Sequence, residues 1–163
     1  MKARDVLNDC ILARDYFSTA VGNGDYQQAK ILWFSCVTLL RAVGHVLHKV
    51  DSQNFTAALR DTLNSQFKQW KTEDAIFRDF IEKERNIILK EYDLTIEVSE
   101  SEEPVTFTTS DGYQFITSDG RELCVNMTLM ELVKARGHGE GNTPLSVLDE
   151  AIEWWKSKLK LFE

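Results

Sequence analysis

The chain has 163 residues, 43% of them hydrophobic and 28% charged, which is the composition of one folded domain with or without an appendage. Nineteen Lys and Arg against 26 Asp and Glu leave a net charge of −7, which argues against broad binding to a phosphate backbone and makes DNA an unexpected partner. Cys10, Cys36 and Cys124 lie far apart with no Cys-x-x-Cys pair, so neither a zinc site nor a disulfide framework is expected, and reduced thiols in a cytoplasm are.

The opening run MKARDVLNDC has no apolar stretch of signal-peptide length. No window approaches ~18 uninterrupted apolar residues, so no membrane segment is expected. Residues 2–21 read as a first helix, with Val6, Leu7, Cys10, Ile11, Phe17, Ala20 and Val21 at helical spacing. Gly22-Asn23-Gly24 breaks it, and Asp25 is a natural N-cap for a second helix over 26–49. In the second half of that helix Leu39, Leu40, Val43, Val46, Leu47 and Val50 share one side, and Thr38, Arg41, His45, His48 and Lys49 share the other. Asp51-Ser52 ends it and offers a cap for a third helix, roughly 53–70.

A fourth helix is predicted over 72–92, capped by Thr72. On a 3.6-residue wheel Ile76, Phe77, Phe80, Ile81, Ile87, Ile88 and Tyr92 form one apolar stripe, with Glu84 and Glu91 near its middle and Arg85 at its edge. Carboxylates facing a core cost several kcal/mol unless paired. The commonest solution is a buried salt bridge, for which Arg85 or Arg41 is the expected partner.

Beyond Leu94 the pattern alternates. Val105–Thr109, Tyr113–Thr117 and Arg121–Met127 are three short β-type runs, and Thr-Ser-Asp-Gly recurs at 109–112 and 117–120. Asp-Gly between alternating runs is a hairpin signal, because the turn needs the positive φ that Gly accepts. Thr128 and Glu131 match a capping box, which predicts a short helix over 129–135. Gly137–Asn142 reads as a flexible loop around His138, and Thr143-Pro144 as an N-cap and first residue of a last helix over 144–161. The expected fold is mainly α in one domain. An antiparallel four- or five-helix bundle (1–93) carries a small antiparallel β-meander (94–127), inserted before residues 128–163 return to the bundle.

Arg41, His45 and His48 line up at i, i+4 and i+7, as acid–base or metal-binding groups would, although no carboxylate lies near in sequence to complete a metal site. No P-loop, dinucleotide fingerprint, serine elbow, His-Glu-x-x-His or EF-hand pattern occurs, so no cofactor or metal is expected.

The run Glu84-Arg85-Asn86-Ile87-Ile88-Leu89-Lys90-Glu91-Tyr92 resembles the signature of HEPN domains, and the helical layout before it is similar too. The resemblance implies a small antiparallel bundle, usually dimeric and often bacterial. Many HEPN domains are metal-independent endoribonucleases of defence or toxin–antitoxin systems. Their motif is an Arg, a polar residue such as Asn, and a His between one and two helical turns further on, paired across a dimer. Arg85 and Asn86 match, whereas Lys90 stands at the expected His position. Three readings are open. The first is a non-catalytic HEPN-like interaction or regulatory module, a homodimer with a possible further protein partner, in which Arg85 and Glu84 structure the core or interface. The second is a HEPN-type ribonuclease, with RNA as partner, using Arg85 and Asn86 with His45 or His48 from the facing helix. The third is a small-molecule binder walled by Trp70, Trp154 or Trp155.

Overall fold

A computed structural model describes residues 1–163. Five α-helices form, α1 (Lys2–Gly22), α2 (Tyr26–Lys49), α3 (Ala57–Thr72), α4 (Lys83–Glu91) and α5 (Pro144–Leu159), together with two strands, β1 (Ile96–Thr106) and β2 (Cys124–Lys134), paired in one two-stranded sheet. The chain divides into two compact units, Met1–Glu97 with Leu132–Glu163, and Val98–Glu131.

In the helical unit α2 is the central element. Ala29, Trp33, Cys36, Val37, Leu40, Val43, Gly44 and Leu47 are buried, a continuous stripe at steps of three and four. By length and composition the segment Tyr26–Asn54 would also suit a membrane crossing, but here its stripe packs against α1, α4 and α5. Asp25 caps α2 by accepting from the Gln28 N–H at 2.9 Å. α1 has no side-chain cap from its own first residue. Asp51 supplies one from a distance, accepting from the backbone N–H groups of Lys2 (2.9 Å) and Ala3 (2.8 Å) while itself buried. That use removes Asp51 as a cap for α3. Residues 51–54 form a 3-10 turn, and α3 starts six residues later under Thr56, whose hydroxyl accepts from the Leu59 N–H.

The predicted helix over 72–92 is two pieces. Thr72 closes α3, and Ile76–Glu82 winds as a π-helix before α4 begins at Lys83. The buried residues Ile76, Phe80, Glu84 and Ile88 recur at steps of four, a row that would drift around a uniform 3.6-residue helix and that the wider π turn keeps on one side. Tyr92 ends α4 in the left-handed conformation (φ 52°), and Glu91 and Tyr92 lie on the surface instead of in the stripe.

The aromatic residues fill the interior. Trp70 packs against Phe67, Phe77, Trp154, Trp155 and Phe162, with ring centroids 4.8–6.4 Å apart. Trp155 Nε1 donates to the Leu40 carbonyl of α2 at 2.9 Å. This approach needs Gly44, because a Cβ there would lie 3.0 Å from the Trp155 ring and 3.3 Å from Phe67. Trp70, Trp154 and Trp155 are therefore packed ring on ring and wall none of the cavities described below.

Of residues 129–135, predicted as a helix, 129–134 belong to β2 instead. The following glycine loop is tied down. Lys134 N–H donates to the Asn142 carbonyl (3.0 Å) and Gly141 N–H to the Lys134 carbonyl (2.9 Å). In the second unit both Thr-Ser-Asp-Gly runs close turns, with Gly112 N–H on Thr109 O and Gly120 N–H on Thr117 O. Phe107, Phe115 and Leu123, eight residues apart, close a ring of three bonds. Phe107 N–H donates to Leu123 O, Leu123 N–H to Phe115 O, and Phe115 N–H to Phe107 O.

Gly44→Ala tests the close approach at α2. Helix propensity alone favours Ala by up to ~1 kcal/mol, but overpacking costs ~1–3 kcal/mol. The expected outcome is a net loss of about 1 kcal/mol, read as a lower urea midpoint at unchanged slope. The thiols give a second test. Cys10 and Cys36 are buried and Cys124 is exposed. Contact with Cys36 and burial hold the Cys10 thiol far above its ordinary range. Intact mass after alkylation should show one adduct, at Cys124, in the native protein and full modification in urea.

Candidate functional site

Two polar constellations stand out in the helical unit. The first is buried. Glu84 is 2% exposed and Lys134 1%. Lys134 Nζ spends its three donors on Glu84 Oε2 (3.2 Å), Thr95 Oγ1 (2.8 Å) and the Arg136 carbonyl. The Thr95 hydroxyl in turn donates to Glu84 Oε1. Thr95 sits at φ 54°, a conformation strained for a β-branched residue. It is held there from several sides: its N–H donates to Asp93 Oδ1 and its carbonyl accepts from the Ala135 N–H. The Glu84 partner is thus Lys134, not Arg85 or Arg41. Assigning 129–135 to a helix concealed it.

Burial pushes the Glu84 carboxyl up to about 7, against the opposing pull of Lys134. Burial likewise holds the Lys134 ammonium below the ordinary lysine range, opposed by Glu84. The Trp33 indole adds a small pull toward the charged carboxylate, although its N–H completes no hydrogen bond of normal geometry. Desolvation outweighs attraction on both partners, as for many buried ion pairs. The cluster is sealed and fully partnered, which suits it to holding elements together.

The second constellation is open. Between α2 and α3 lies a groove of about 480 Å³ lined by Arg41, Gly44, His45, His48, Lys49, Asn64, Phe67, Lys68 and Lys71. Arg41, His45 and His48 come from α2 at i, i+4 and i+7. Asn64, Lys68 and Lys71 come from α3 at the same spacing, so each helix presents one stripe to the groove. The α3 stripe follows the same spacing rule and is legible in the sequence, although it contains no imidazole. A second cavity, about 290 Å³, is lined by Thr38, Arg41, Ala42, His45 and Arg85. Arg41 and His45 belong to both cavities, so the two adjoin.

Arg85 is half-buried and its guanidinium makes one side-chain hydrogen bond, to Asn86 Oδ1 (3.0 Å), and no ion pair. Arg41 and Lys71 both approach Glu82, at 3.6 and 3.7 Å. His48 Nε2 lies 3.0 Å from Asn64 Oδ1, and its ring meets Phe67 edge-on at 5.1 Å. Asn86, Lys90 and Glu91 line a separate shallow cleft of about 380 Å³ with Arg78, Asp79 and Lys83. Arg85 and Lys90 therefore do not share a site, whereas Arg85, Arg41 and His45 do. His138 lies apart, its Nε2 3.4 Å from Glu150 Oε2 and its ring beside Phe80. No group of three or more His, Cys, Asp or Glu is placed to hold a metal ion. No protein-family model, no curated protein and no solved structure matches the chain.

The buried pair yields a pH test. The Glu84 carboxyl is raised in the folded protein, so protonation favours folding. That contribution is fully present below about 4.5 and is lost as pH rises through about 7. Relative to Glu84→Gln, the wild type should lose on the order of 2–3 kcal/mol of urea stability between these limits and stay level above them. Equal pH slopes in the two proteins would refute the assignment.

Proposed function

We propose that the α2–α3 groove binds the phosphate backbone of RNA and cleaves it, with His45 and Arg85 at the reacting phosphate. One observation carries this reading: Arg85, Arg41 and His45 line one open cavity that runs into a groove bearing Lys49, Lys68 and Lys71. Five cations line the two cavities, and the one carboxylate in ion-pair contact with them is Glu82, in a chain of net charge −7. Arg85 has no ion pair to occupy it, as expected of a cation that serves a ligand. The likeness of Glu84–Tyr92 to the HEPN signature supports the same reading through Arg85 and Asn86. The imidazole comes from α2, in place of the His that Lys90 replaces.

The chemistry needs no group beyond these residues. Imidazole exchanges protons near neutral pH. His45 takes the proton of a ribose 2′-hydroxyl as its oxygen attacks the adjacent phosphorus. The guanidinium groups of Arg41 and Arg85 neutralise the charge that builds on the phosphoryl oxygens. The bond from phosphorus to the 5′-oxygen breaks, and the leaving oxygen takes a proton from a protonated imidazole, a part this reading gives to His48. The products are a 2′,3′-cyclic phosphate and a 5′-hydroxyl. A non-catalytic interaction module is the second reading, favoured by the exposed apolar side chains of Val98–Glu131 and by Lys90 at the motif's His position. On either reading the chain is expected to act in the cytoplasm.

The test is cleavage of varied RNAs in EDTA by the wild type, Arg85→Ala and His45→Ala, with the fold of each checked by circular dichroism. Cleavage should fall at least ~100-fold in His45→Ala. Lys68→Ala and Lys71→Ala should each weaken binding across sequences and flatten its salt dependence by about one ion. A wild type that neither cleaves nor binds RNA, or cleavage indifferent to His45 and Arg85, would refute the proposal.

A further inference from the structure

The charge of this chain is unevenly shared. Val98–Glu131 holds seven Asp or Glu and one basic residue, Arg121, a net −6 of the chain's −7. The same unit exposes Val105, Phe107, Phe115, Ile116, Val125 and Met127, each 40–63% accessible. Exposed apolar side chains of this size occur at contact surfaces. Like charge opposes pairing of two such surfaces with each other, and the matching chemistry lies in the α2–α3 groove. That groove offers lysines and arginine over an apolar floor at Phe67 and Gly44.

We propose that this groove is also a protein-docking site whose occupant is the acidic β-unit of a second copy of the chain, with Glu100 and Glu102, which share one face of β1, set against Lys68 and Lys71. The inference rests on the groove being an anion site, as in the reading above. The spacing fits. Alternate strand residues such as Glu100 and Glu102 lie roughly 6.8 Å apart on one face, and helix neighbours such as Lys68 and Lys71 stand about 5–6 Å apart. Glu100, Glu102 and Glu103 make no ion pair within the chain, and neither do Lys49 and Lys68. Lysine stems cover the apolar floor of the groove while their ammonium groups meet the carboxylates. Carboxylates and phosphates compete for the same cations. RNA and the second copy therefore exclude each other.

The experiment is solution mass by light scattering at low and high salt, with a charge swap. One variant carries Glu100→Lys and Glu102→Lys, and the other Lys68→Glu and Lys71→Glu. All four positions are exposed, and circular dichroism confirms folding. The wild type is expected at a multiple of 18.7 kDa at ~0.05 M salt, falling toward the monomer at ~0.5 M. Each variant alone should be monomeric, since its altered surface meets a like-charged one. An equimolar mixture should associate, because both contacts are then complementary, and added RNA should dissociate the wild type. A wild type monomeric at every salt, or an assembly indifferent to both variants, overturns the proposal. Loss of RNA binding in Lys68→Glu/Lys71→Glu beside a monomeric wild type would leave the groove reading standing and remove only this inference.

Discussion

The buried pair of Glu84 and Lys134 is the constraint on which the arrangement of the helical unit turns. Neither charge is there for cheap stability, because desolvation exceeds attraction on both. Geometry is what they contribute. Lys134 has three donors and meets three acceptors, from α4, from the turn at Thr95 and from the loop after β2. An apolar pair of equal volume would pack as well but would not specify which three segments meet. The strained backbone at Thr95 persists because its hydroxyl lies between the two charges. Fixing Glu84 inward also fixes the azimuth of its neighbour. Successive helical side chains diverge by about 100°, so Arg85 is turned out of the core to line the cavity against α2. The buried carboxylate and the half-buried guanidinium that lines the cavity are two consequences of one rotation.

A second constraint acts from the other side. Trp155 reaches the carbonyl of Leu40, and Gly44 leaves the room it needs. The contact anchors α5 against α2, and Phe67 of α3 meets the same glycine. With the apolar sides of α2 and α3 committed to these rings, the stripes 41–45–48 and 64–68–71 are left facing one groove. The groove exists because both helices bury their other faces.

The parts of this fold that were legible in the sequence are those governed by local rules. α1, α2 and α5, with caps at Asp25 and Thr143, arise from spacing and capping chemistry. The Thr-Ser-Asp-Gly turns arise from glycine. The misread parts depended on distant partners. Asp51 has the look of a cap for α3, the next long helix, and instead caps α1, about fifty residues earlier. Thr128 and Glu131 match a capping box, but Leu132 and Lys134 are drawn into the helical unit at strand spacing, one to the core and one to Glu84. The π turn at Ile76–Glu82 displaces Glu91 and Tyr92 from the stripe on which a uniform wheel placed them. Glu84 was identifiable as a buried charge from its own helix, whereas its partner could not be, because that pairing spans fifty residues and a change of secondary structure.

Net charge is the clearest case of a whole-chain quantity concealing a local one. A value of −7 argues against a phosphate ligand only if the charge is spread evenly. Here nearly all of it resides in Val98–Glu131, which leaves the helical unit close to neutral and free to gather Arg41, Lys49, Lys68, Lys71 and Arg85 around two adjoining cavities. Screening makes the distinction physical. At physiological salt the Debye length is ~8 Å, so a ligand in the groove responds to charges within that reach and little to the chain total. The quantity that matters for function is therefore the field inside the groove, where Glu82 is the single carboxylate in ion-pair contact with the lining cations.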